Sequence, residues 1–161
     1  MKPSYFDMLG FDVSDMLFSA PIQRVVLSPY TRINEPLIKS KQDFSGKVVA
    51  VDIAAGSLDF FHSTFLPEDV EVIMASSTEQ AFSLLSQNRV DAALAFGFDL
   101  HLLFKRKPEA HMPLERGYYI GDNQDVITCW GSALSRAFLT HVDAKLEVLR
   151  VSGSLQAIIG H

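Results

Sequence analysis

The sequence predicts an α/β fold with a mainly parallel sheet and helices on both faces. Three observations carry that prediction. From residue 46 onward, strand-like and helix-like patterns alternate, the order expected of βαβ units. The strand-like runs Val48–Ile53, Val70–Met74 and Val90–Phe96 are rich in apolar and β-branched residues, as strands buried on both faces are. The joints between these segments are short, which suits consecutive elements packed side by side.

Each element has a local reason. Gly46-Lys47 leads into the first run, in which Val48, Val49, Val51 and Ile53 dominate. Ala54-Ala55-Gly56-Ser57 forms a small-residue loop, where Gly56 permits a sharp turn and Ser57 is a good N-cap for a helix to Leu66. Phe60, Phe61 and Phe65 group at near-helical spacing, as core residues do. Pro67-Glu68-Asp69 turns the chain into the second strand. Ser76 and Glu79 then stand at capping-box spacing ahead of Ala81, Phe82, Leu84 and Leu85. Asn88-Arg89 turns into the third strand, Gly97 ends it, and a helix is predicted from Asp99 to Lys107. Tyr118-Tyr119-Ile120 reads as a further strand and Ser132–His141 as a helix. Leu146–Val151 fits either state, and Ser154 opens a short terminal helix that needs packing to hold together. Residues 1 to 45 are mixed, with a strand-like Val25-Val26-Leu27 among turns at Pro21, Pro29 and Pro36.

Composition narrows the function classes. The chain has 161 residues, 48% hydrophobic and 20% charged, enough to bury a core. Its net charge is −5, and its one basic run, Lys105-Arg106-Lys107, sits where it complements the end of a helix dipole. A nucleic-acid partner is not expected, since such binders show a basic face. No apolar run is long enough to span a membrane, and the first residues have no apolar core of a signal peptide. Cys129 is the single cysteine, so it forms no disulfide within the chain, and it reads as a packed thiol.

The chemistry-bearing residues point to binding. In a parallel sheet, ligands sit beyond the carboxyl ends of the strands. Gly56-Ser57, Ser76-Ser77 and Phe96–Asp99 are therefore expected on one rim. A helix N-terminus there presents unpaired N–H groups and a positive dipole end to a carboxylate or phosphate, although such a joint can also be only a joint. His62, His101, His111, His141 and His161 lack metal-ligand spacing, and no P-loop, dinucleotide fingerprint or nucleophile elbow is present. Glu115, Asp122 and Asp125 form a carboxylate cluster that loop solvation accounts for. No cofactor or metal is expected.

Several segments in order resemble the family 3 extracellular solute-binding proteins, the polar amino-acid receptors of ABC importers. They are Phe44-Ser45-Gly46-Lys47-Val48-Val49-Ala50-Val51, Gly56-Ser57, Ser77-Thr78-Glu79-Gln80-Ala81-Phe82 and Asn88-Arg89-Val90-Asp91-Ala92-Ala93. Upstream, Ser19–Arg24 is similar to the Ser-Ile-Thr-x-x-Arg segment of that family and Ser28-Pro29-Tyr30 to its Ser-x-Pro-Tyr. Downstream, Val151–Ile159 is similar to its final helix.

The resemblance implies lobe two of a type II periplasmic binding protein plus remnants of lobe one. Residues 1–36 would be the lobe-one remnant and hinge, 37–120 lobe two, and 121–161 the hinge return and C-terminal helices. It implies a ligand between two lobes, its carboxylate held by Arg24 and by Ser57 with the amides of Gly56 and Leu58, assisted by Ser19. Ser77 would share the rim. Where the family has an Asp for the ligand's amino group this chain has Phe96, with Asp99 three residues on as either a substitute or a helix cap. The function implied is binding of a small anionic or amino-acid-like solute, not catalysis, with a membrane transporter or receptor as partner and a periplasmic or extracytoplasmic setting. With Met1 as a native start and no signal peptide, the setting would instead be cytoplasmic. Two other readings stand beside it: a non-binding interaction or sensory module that forms a homodimer, and a dehydratase-like enzyme on the same fold. In the homodimer reading, residues 1–30 and 130–161 form much of the contact.

Overall fold

The computed structural model describes residues 12–56 and 58–159. In chain order the strands are β1 (Met16–Phe18), β2 (Gln23–Arg32), β3 (Val48–Asp52), β4 (Glu71–Ala75), β5 (Ala92–Phe96), β6 (Leu114–Arg116), β7 (Gly121–Asp125) and β8 (Thr128–Trp130). The helices are α1 (Leu58–Thr64), α2 (Thr78–Ser86), α3 (Gly97–Arg106), α4 (Ala133–Val151) and α5 (Ser154–Ile159), with 3-10 turns at Lys41–Phe44, Ile53–Ala55 and Pro108–Ala110. The chain divides into two compact units, residues 1–25 with 122–161 and residues 26–121.

The larger unit is built on strands in the order β4-β3-β5-β2-β6. β3 pairs in parallel with both β4 and β5, as the alternation of strand and helix requires. β2 runs antiparallel to β5 and β6, so the parallel sheet is mixed at that side. The period-2 alternation of each strand feeds two separate cores. Ala50, Ala75, Ala93 and Ala95 face α2 and α3, where Phe82, Leu85 and Leu100 pack. Val49, Val51, Ala92 and Leu94 face the other way, onto Phe44, Phe61 and Leu66. Phe61 and Phe65 of the predicted aromatic group sit on that face, ring centroids 6.3 Å apart. Small residues on one face and larger ones on the other let helices close on both. Arg32 reinforces the first face, donating Nη1–H bonds to the Leu85 and Val90 carbonyls at 2.7 and 2.8 Å.

Several boundaries differ from the sequence reading. α3 begins at Gly97, two residues before the predicted start, because Phe96 already has the extended backbone of an N-cap. The cap of α2 is Ser77 rather than Ser76: its hydroxyl accepts from the Gln80 amide, and Gln80 Oε1 in turn accepts from the Ser76 amide. Tyr118–Ile120 is not a strand. The Tyr118 and Ile120 amides bond singly to the Ile38 and Leu27 carbonyls, and their side chains pack on the second core. Leu146–Val151 is helical, continuing α4 to 19 residues.

In the smaller unit β1 and β8 form a two-stranded antiparallel sheet, with Leu17 opposite Cys129. α4 buries Leu139 and Leu146, and α5 buries Leu155 and Ile159. Among the described residues no helix is long and apolar enough to cross a membrane.

Candidate functional site

The parallel strands β3, β4 and β5 deliver three loops to one edge of the larger unit. At the end of β3, Asp52 Oδ1 accepts from the Ala54 amide at 2.9 Å and sets the following 3-10 turn. That turn stops at Gly56, whose φ of 157° and ψ of 172° are essentially reserved for glycine. α1 then starts at Leu58. Ser57, the residue the sequence nominates most directly for a carboxylate, lies outside the described residues. Leu58 and Ile53 are 43% and 61% exposed, leaving apolar surface on either side of Gly56 along the chain.

At the end of β4, Ser76 gives both its amide and its hydroxyl to Gln80 Oε1, at 2.6 and 2.8 Å. Thr78 Oγ1 donates to Asp52 Oδ2 at 2.9 Å, which ties the start of α2 to the end of β3. At the end of β5, Phe96 makes no side-chain cap, and its ring packs on the second core. Asp99 stands in the first turn of α3, where its charge complements the helix dipole.

Ser77 and Asp99 meet at one cavity of about 400 Å³, lined also by Asp52, Thr78, Glu79 and Arg106. Lys107 closes part of its wall by donating to both Glu79 oxygens at 2.6 and 2.7 Å. That carboxylate raises the Lys107 pKa from its ordinary value. The cavity therefore carries both signs of charge: Asp52, Glu79 and Asp99 against Arg106 and Lys107. The sequence reading placed Ser77 and Asp99 on this rim but missed Asp52, Thr78, Glu79 and Arg106. Asp52 had a signal, a charged residue closing an otherwise apolar strand. Arg106 and Lys107 were read only as a helix end.

The remaining nominated residues belong to the smaller unit. Ser19 is buried, and its hydroxyl donates to the Ala20 carbonyl at 2.8 Å while accepting from the Ile127 amide at 2.9 Å. Its proton is thus committed to the backbone. Arg24 lines a second cavity of about 330 Å³ with Ile22, Gln23, Arg150, Leu155 and Gln156. Among the described residues no group of His, Cys, Asp and Glu is arranged to hold a metal ion.

No family model matches the chain, and neither does any curated protein. Solved structures do match. A mutant of ArgBP from T. maritima superposes with a TM-score of 0.68 at 21% identity, covering 89% of this chain and 60% of that one. An ancestral arginine-binding protein bound to arginine gives 0.66 at 22% identity, covering 91% and 63%. The GluR0 ligand-binding core from Nostoc punctiforme in complex with L-glutamate gives 0.66 at 23%, covering 89% and 63%. The chain thus spans about three-fifths of the length of these structures. At such identities the likeness is one of fold.

Proposed function

On the type II periplasmic-binding-protein fold that this chain shares with those structures, we propose that it binds a small anionic or amino-acid-like solute. The observation that carries this reading is the cavity of about 400 Å³ beyond the carboxyl ends of β3 and β4, walled on its other side by α3; it offers acidic and basic groups together. A zwitterion needs both. Asp99 and Asp52 suit an ammonium, Arg106 suits a carboxylate, and the Ser77 and Thr78 hydroxyls suit either. Ser57, with the amides of Gly56 and Leu58, is proposed for the carboxylate from the family resemblance. For Arg24 we keep the proposed role of a carboxylate-binding charge, assisted by Ser19, whose hydroxyl also holds its own segment through the Ala20 carbonyl and the Ile127 amide. The solved structures that carry arginine or glutamate support the reading through their fold. A membrane transporter or receptor and an extracytoplasmic setting belong to the same proposal.

A thermal-shift screen of L-amino acids and small carboxylates tests it. A compound that binds only the folded state must raise the midpoint with concentration. No shift with any compound at millimolar concentration would argue against solute binding.

A second reading, an interaction module that pairs, has its own observation. Six large apolar side chains are exposed between residues 130 and 158: Trp130, Leu134, Phe138, Val148, Val151 and Ile158. Four of them, Leu134, Phe138, Val148 and Val151, lie on one helix, α4, where a contact surface is proposed.

A further inference from the structure

α4 carries two apolar stripes on opposite sides. Leu139 and Leu146 form the inner one and are buried. The outer one is Leu134, Ala137, Ala144, Val148 and Val151, with His141 at its middle, all exposed. Their spacing is three, four, three, four and three, the 3.5-residue period of a coiled-coil seam. Among the described residues only the inner stripe is covered.

We propose that the outer stripe packs against the same helix of a second copy, antiparallel about a twofold axis. This rests on the pairing reading above and is independent of solute binding. The seam is self-complementary in that arrangement. With the axis midway between residues 142 and 143, Leu134 faces the partner's Val151, Ala137 faces the partner's Val148, and His141 faces the partner's Ala144. The twofold repeats each layer. A large residue meets a small one in two of these layers, so the helices approach closely without a void.

The flanks agree. Phe138, 50% exposed, lies on the same flank of the seam as the partner's Lys145 and two positions off its layer, within reach for an ammonium to meet an aromatic ring. A depression of about 350 Å³ lined by Glu147, Val148, Val151 and Ser152 lies where the partner's Leu134 arrives. The 19-residue helix offers a seam about 28 Å long.

Sedimentation equilibrium of the full chain at micromolar concentrations, with circular dichroism to confirm folding, tests the proposal. The wild type is expected to be a dimer. Leu134→Glu with Val148→Glu, both at exposed positions, is expected to keep the fold and weaken association about 100-fold or more. In a Cys129→Ser background, His141→Cys with Ala144→Cys is expected to form an interchain disulfide on oxidation. Ser135→Cys, off the seam, is not. A dimer that survives the charge variant without that cross-link would overturn the α4 seam while leaving pairing through another face. A monomer throughout, with the stripe covered only when another polypeptide segment is added, would overturn both.

Discussion

Thr78 Oγ1 donates a 2.9 Å hydrogen bond to Asp52 Oδ2, so the first residue of α2 is fastened to the last residue of β3. The other oxygen of the same carboxylate holds the Ala54 amide. One side chain therefore sets the geometry of two of the three loops at the candidate rim, and does so from inside its cavity.

Thr78→Val tests that fastening. It keeps the shape of the side chain and removes the donor to a carboxylate, so a loss of about 1–2 kcal/mol is expected. Urea denaturation with an unchanged m-value would show it. The same variant should weaken solute binding, because Asp52 loses the contact that orients it.

Gly117 sits where no side chain fits. A Cβ there would run into the Ile38 carbonyl oxygen and come within 2.7 Å of Pro29 Cγ. Gly117→Ala is expected to cost about 2 kcal/mol or more, since two backbone segments must separate. Thermal unfolding would read it, and an unchanged midpoint would contradict the close approach.

Phe61 is fully buried beneath the sheet. Phe61→Ala is expected to cost about 3–5 kcal/mol through lost burial and the cavity left behind. Phe61→Leu, which fills more of that space, should cost less. Equal losses in the two variants would mean that packing at this site is not what the aromatic supplies.

Acid should act through two surface carboxylates. The Lys39 amide, helped by the Ser40 hydroxyl, holds the Asp43 pKa below its ordinary value. The Ser45 hydroxyl, together with the Gly46 amide, does the same for Asp69. A depressed folded pKa gives stability that is present above the unfolded value of about 3.9. It is lost as pH falls through the folded values. The Tm of the wild type should therefore drop more steeply from pH 5 to pH 2 than that of Asp43→Asn with Asp69→Asn. Parallel curves would contradict the assignment.

The parallel heart of the fold was legible because burial on both faces leaves a mark in composition. Val48–Val51 and Ala92–Phe96 are apolar throughout, so their type and order could be read. β7, Gly-Asp-Asn-Gln-Asp, has no apolar pattern and was missed. The C-terminal part of α4 was ambiguous because its apolar residues lie on both sides of the helix, which blurs a one-face pattern. The same holds at the site. Ser77 and Asp99 were legible as strand-end residues. Lys107 reaches Glu79 across 28 positions, a meeting that only the packing of α2 against α3 creates.

A small solute is proposed to bind beyond the carboxyl ends of β3 and β4, against α3. Backbone amide NMR during titration with the best stabilising amino acid or carboxylate tests it most directly. Saturable shifts are expected, concentrated at Gly56, Ser57, Leu58, Ser77, Thr78 and Asp99, and abolished or weakened at least tenfold by Asp99→Asn with Arg106→Ala. Saturable shifts that leave these amides unmoved, or no saturable shifts with any compound, would contradict it.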